Sequence, residues 1–172
     1  GFGAGGGGGG CTEATNFLAR TSGLSGAETT AYTTLICGLV TDGTWSKFDV
    51  LYVFATNTTT TAKLNLIGNT NNAAAVGAGS EALTADQGIV FNNSGGNLIY
   101  STIAPNGGTK CTQNSCAYGV YIRTTNNFVC DIGSTNASTS WFRLCLTNGG
   151  TAEYTLNDST FLSFTNASAV GM

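Results

Sequence analysis

Past Trp45 the chain is a series of short apolar runs, each bounded by clusters of Asn, Gly, Ser and Thr. Runs of that length are too short for globular helices and suit strands, and Asn, Gly and Ser are the residues that turn a chain between them. Phe48 to Ala55 (FDVLYVFA) is a continuous apolar run, the signature of a buried strand. Further strands are expected at Gly88 to Asn92, Asn97 to Thr102, Ala117 to Thr124, Phe128 to Ile132, Ser140 to Leu146 and Thr160 to Phe164. Lys63 to Ile67 is ambiguous, and 68–80 reads as a loop of Asn, Ala and Gly. Many short strands at near-regular spacing predict a mainly β fold, a sandwich or jelly roll.

The residues before this body read differently. Ser25 and Glu28 are spaced as a capping box, in which the hydroxyl accepts from the Glu28 amide and the carboxylate reaches back. Ala27, Ala31, Leu35 and Leu39 follow at four-residue steps, with Ile36 and Val40 beside them. This is one apolar face on a helix of about 15 residues, and Asp42-Gly43 ends it. Thr12 to Arg20 is a shorter helix broken at Ser22-Gly23. The two form a hairpin expected to pack against the sheet. The predicted organisation is a Gly-rich arm or linker over 1–11, a helical hairpin over 12–43 and a β-sandwich body over 44–172. The arm contains six consecutive glycines, Gly5 to Gly10, which lose the most backbone entropy on ordering and read as a tether.

Charge narrows the partners. Only 9% of the residues are charged, against a usual share of about 25%. The net charge is −3, and the six basic residues, Arg20, Lys47, Lys63, Lys110, Arg123 and Arg143, are scattered. Nucleic acid is therefore not an expected partner, because phosphate binding needs clustered Lys and Arg. No apolar run approaches the roughly 18 residues of a membrane span.

The six cysteines, Cys11, Cys37, Cys111, Cys116, Cys130 and Cys145, are an even number in a low-charge, surface-type chain. That suggests disulfides and an oxidising, extracellular setting. Spacing alone does not fix the pairing. Local geometry favours Cys130 with Cys145 across the Gly133 to Thr139 turn, Cys111 with Cys116 closing a small loop, and Cys11 with Cys37 tying the start of the head to its second helix. The last closure is worth roughly 3 kcal/mol on the chain-entropy model. An interchain bond is the rival for Cys11. Zinc is disfavoured, since the chain has no His and only Cys111 and Cys116 lie close together.

The absence of His removes the Ser-His and Cys-His nucleophile arrangements. A glycosidase needs paired carboxylates about 5 to 10 Å apart. Among the nine acids the closest spacings are Glu81 with Asp86 and Glu153 with Asp158, both expected on loops. No catalytic residue, metal or cofactor is predicted. A calcium site through Asp86, Asp131 or Asp158 lacks any ligand spacing. Trp45, Tyr100, Tyr118, Tyr121 and Trp141 are core or strand packing by default. Of these, Trp141, Tyr121 and Tyr118 are the candidates for stacking on sugar rings. Asn57, Asn92, Asn136, Asn157 and Asn166 stand in glycosylation sequons, which count only in a eukaryotic secretory host.

The stretch Glu13 to Leu66 (EATNFLARTSGLSGAETTAYTTLICGLVTDGTWSKFDVLYVFATNTTTTAKLNL) resembles the start of a phage-associated domain with a concanavalin A-like, LamG-type jelly roll. Gln113 to Thr125, Asp131-Ile132-Gly133 and Thr151 to Ser159 resemble its later parts. The resemblance implies a virion structural protein of tail, fibre or decoration type, and no catalytic residues. Two departures stand out: Cys111 and Cys116 are additions, and the family pattern continues past Met172. The expectation is therefore a body incomplete at its C-terminal end, either part of a longer polypeptide or completed by a neighbouring subunit. On this reading the chain is a non-catalytic virion module bound to other virion proteins or identical subunits. The alternative is a receptor- or glycan-binding module of a fibre or spike contacting a host surface glycan. A secreted polysaccharide hydrolase ranks last.

Overall fold

A computed structural model describes residues 10–76, 81–91, 98–100, 110, 117–121, 123, 132–136, 140–148, 151–158 and 162–165. The chain divides into two compact units, Gly1–Ile103 and Ala104–Met172.

The first unit opens with two helices, α1 (Thr12–Leu18) and α2 (Gly26–Thr41). The expected capping box starts α2. The Ser25 hydroxyl accepts from the Glu28 amide at 3.2 Å, and the Ser25 amide donates to Glu28 Oε2 at 2.9 Å. Four of its threonines, Thr29, Thr30, Thr33 and Thr41, turn their hydroxyls back to donate to the carbonyl four residues earlier. The helix stops at Gly43, whose φ of +70° suits glycine. There the Gly43 amide donates to Val40 O and the Thr44 amide to Leu39 O, the Schellman pairing that satisfies the last carbonyls.

The buried face of α2 is not the expected one. Tyr32 and Ile36 enter the core, flanked by half-buried Thr29, Thr33, Cys37 and Val40, whereas Ala27, Ala31 and Leu35 are exposed. The aromatic ring at Tyr32 decides the rotation, because it buries far more apolar area than two alanine methyls. Its ring lies 4.9 Å from that of fully buried Phe17 on α1. Ala14, Phe17, Tyr32, Ile36 and Leu66 form the core cluster, with Trp45, Leu51 and Val53 packed against it. Trp45 opens a short 3-10 turn, Trp45–Lys47.

Phe48 to Ala55 forms neither helix nor strand. Its backbone is satisfied by other means: the Leu51 amide donates to Asn65 Oδ1 at 3.0 Å, and Leu51 O accepts from the Leu66 amide at 2.9 Å. A four-residue helix, α3 (Thr59–Ala62), follows, capped by the Thr58 hydroxyl. Within the expected 68–80 loop stands β1 (Ala74–Val76). It pairs antiparallel with β4 (Leu98–Tyr100), while β2 (Glu81–Thr84) and β3 (Gly88–Phe91) form a hairpin.

The second unit holds one antiparallel sheet in the order β5 (Ile132–Asn136), β6 (Ser140–Asn148), β7 (Thr151–Asp158), β8 (Leu162–Thr165). Of the 133–139 segment, expected as a turn, the described residues 133–136 lie in strand β5. Glu153 and Asp158, expected on loops, lie in β7. The described residues of Ala117 to Thr124 carry no strand.

The expected jelly roll is therefore wrong for the described residues. A jelly roll requires two packed sheets joined by Greek-key crossovers. Here the four strands neighbour one another in chain order, a meander, and the other strands form two separate pairs. The core of the first unit is built by helices rather than by stacked strands. The apolar runs that suggested a sandwich are partly non-strand, because side chains rather than ladders satisfy their backbones.

Candidate functional site

The Cys11–Cys37 pairing expected from sequence is present, with the Cα atoms 5.6 Å apart. Cys11 is the N-cap residue of α1 and Cys37 lies in the fourth turn of α2, so the bond pins the two helices at one end. It also fixes the last glycine of the arm. A Cβ on Gly10 would come within 3.3 Å of the Thr33 methyl, so the chain enters the head pressed against α2. Cys111, Cys116 and Cys130 lie outside the described residues. Cys145 sits in β6 opposite Glu153.

The candidate sugar-stacking aromatics do not form one group. Trp141 occupies an inner strand, opposite Thr135 on one side and Asp158 on the other. Tyr121 is 68% exposed, the most exposed large hydrophobic among the described residues. Tyr118 is half-buried, and desolvation raises its phenol above the usual value. Over 117–121 the exposure alternates, with Ala117, Gly119 and Tyr121 outward and Tyr118 and Val120 half-buried. Tyr100 is in β4 and Trp45 flanks the core. Of the candidate calcium ligands, Asp86 is at the β2–β3 turn, Asp158 is in β7, and Asp131 lies outside the described residues.

Three polar side chains hold the first unit together, and of their roles only the capping by Glu28 is expected from sequence. Asn65, 1% exposed, accepts from the Leu51 and Ile67 amides and donates to the carbonyls of Asp49 and Thr70. Arg20 lies 5.3 Å above the Phe17 ring and donates to Gly68 O and Asn65 O, both at 2.8 Å. Beyond its capping role, Glu28 accepts at Oε1 from the Thr56 hydroxyl at 3.0 Å and the Asn57 amide at 2.8 Å. The Ser25 amide does most to hold the Glu28 carboxyl below its usual pKa. It outweighs desolvation, and the Ser25 hydroxyl, Asn57 amide and Thr56 hydroxyl add to it. Of these roles, sequence shows only the capping box. Nothing in the spacing of Arg20, Asn65 or Thr56 announces partners more than ten residues away. Asn57, a sequon residue, has its side-chain amide donated to Gly23 O.

The exposed Ala27–Ala31–Leu35 stripe lines, with Val53, Ala55 and Asp86, an open groove of about 440 Å³. A second hollow of about 310 Å³ lies beside Thr59, Lys63 and Asn72. Among the described residues no helix is long and apolar enough to cross a membrane, and no three Cys, Asp or Glu side chains gather. No family model matches the sequence, and no curated protein or solved structure matches it either.

Proposed function

We propose that this chain is a non-catalytic, disulfide-braced structural module of a bacteriophage virion, a decoration or appendage component that contacts other virion proteins or identical subunits. One observation carries the reading: the Cys11–Cys37 bond stands at the root of the glycine-rich arm. A disulfide there persists only where thiols are not kept reduced, which fits the outside of a particle and not a cytosol. The polar groups with the most partners, Asn65, Arg20 and Glu28, are committed to bracing the fold. The resemblance of Glu13 to Leu66 to phage structural domains supplies the assignment to a virion.

The test is peptide mapping of gradient-purified particles under non-reducing conditions. The expected result is the chain at a fixed copy number per particle with Cys11 and Cys37 joined. Recovery only from host cytosol, with both thiols free, overturns the proposal.

A second reading, host-glycan attachment, is favoured by the exposure of Tyr121 next to exposed Arg123. An aromatic face open to solvent is what a sugar ring stacks on. Binding on a glycan array that disappears with Tyr121→Ala supports it, and an array without signal removes it.

A further inference from the structure

The Cys11–Cys37 bond closes a part of the head that has little else to hold it. Helix α1 has seven residues, fewer than the roughly 12 a lone helix needs in water. Its N-cap is Cys11, whose side chain makes no capping hydrogen bond. A Ser, Thr, Asp or Asn there would satisfy one of the open amides of the first turn. The Cys11 carbonyl accepts from the Thr15 amide and hydroxyl, but those bonds stay inside the turn and give no hold on α2. The fully buried residues of α1 begin at Ala14, followed by Phe17. Before them, Gly10 and Thr12 are exposed, and Cys11 and Glu13 half-buried. Residues 10–13 therefore depend on the bond. It brings the Cys11 amide to Cys37 Sγ at 3.0 Å and seats Gly10 on α2, where a Cβ would meet the Thr33 methyl at 3.3 Å.

The rest of the head is held by other means. Phe17 packs on Tyr32 with the ring centroids 4.9 Å apart, and Ile36 and Leu66 complete the cluster. Arg20 bonds Gly68 O and Asn65 O from the far end of α1. Ser25 and Glu28 start α2 without help from either sulfur. Both cysteines are half-buried at the edge of this cluster and are not sealed inside it. Exposure of that kind is what opens a disulfide to thiols in solution.

We propose that Cys11 and Cys37 form a redox-operated latch. As thiols they leave residues 10–13 detached from α2 while the head stays folded. As a disulfide they close the first turn of α1 and hold Gly10 against Thr33. Closure is a two-electron oxidation, and a small-molecule disulfide of the glutathione type takes up the electrons. One cysteine thiolate attacks that disulfide and releases one small thiol. The second cysteine then attacks the mixed disulfide and releases the other, so the two cysteine protons end on the two released thiols. A chain made where thiols are kept reduced is born with the latch open, and it closes on reaching an oxidising medium. The inference rests on the bond and its surroundings and is independent of the virion assignment.

The test is nuclear magnetic resonance of the full chain, labelled with nitrogen-15 and carbon-13, before and after reduction with a phosphine. On reduction the backbone order parameters of residues 10–13 should fall from about 0.85 to below about 0.6. The Overhauser contact between Gly10 and the Thr33 methyl should vanish, while those between the Phe17 and Tyr32 rings persist. Oxidised glutathione should restore the first pattern. Cys11→Ala combined with Cys37→Ala, which leaves the other four cysteines in place, should show the open pattern without any reductant. Residues 10–13 that stay ordered against α2 in the reduced chain and in the double variant overturn the proposal. So does loss of the Phe17–Tyr32 contacts together with the Gly10 contact, since the bond would then hold the whole head and not a latch.

Discussion

Within the first unit, the α1–α2 hairpin and the stretch from Phe48 to Ala73 pack on one core but satisfy their backbones by opposite means. The helices bond within themselves, and their ends are closed by neighbours in sequence: Ser25 with Glu28, and Gly43 with Val40. The later stretch has few ladders of its own. Asn65 stands in for a missing strand, taking two amides and two carbonyls, and Arg20 reaches over from the first helix to hold Asn65 O and Gly68 O. Local bonding tolerates substitution by any residue of similar propensity. A side chain that substitutes for a ladder does not.

That contrast breaks first at Asn65. Asn65→Leu keeps the volume but strands buried amides and carbonyls, and should cost about 4 kcal/mol in urea unfolding followed by circular dichroism. A loss under about 1 kcal/mol would mean the stretch holds its shape without Asn65. Next in size is the covalent tie. Replacing both Cys11 and Cys37 by Ala should cost about 3 kcal/mol in the same measurement, given the 26-residue separation. Local capping should matter less: Ser25→Ala should lower stability by about 1 kcal/mol, chiefly by fraying the first turn of α2 in amide exchange.

The smallest effect is a pH dependence. Glu28 has a folded pKa below its ordinary value, so its contribution is complete above the unfolded value of about 4.3. It is lost as the pH falls through the folded value. Stability curves of the parent chain and Glu28→Gln should therefore converge on acidification. Parallel curves would show that Glu28 acts through geometry and not charge.

The legible parts of the sequence were those whose determinants are neighbours. Both helices, the caps of α2 and the Cys11–Cys37 tie follow from residues a few positions apart or from one hairpin. β3, β4, β6 and β8 were foreseen for a similar reason, as apolar runs flanked by turn residues. Phe48 to Ala55 misled because an apolar run reports burial and not hydrogen-bond partners. β7 was missed because Thr151 to Asp158 is too polar to register as a run. The jelly roll failed one level higher: strand count says nothing of strand order, and a meander uses the same runs. The outer groove stayed hidden because Ala27, Ala31 and Leu35 look like a core face until Tyr32 turns the helix.

The sulfur bridge between Cys11 and Cys37 has a mechanical side. Tension arriving through the glycines at Gly10 passes at Cys11 straight across to Cys37, then on along the chain from Gly38. Residues 12–36, spanning α1 and most of α2, lie in a closed covalent loop that carries none of it. However hard the tether is drawn, that part of the head cannot be paid out as slack; only a reductant makes its length available.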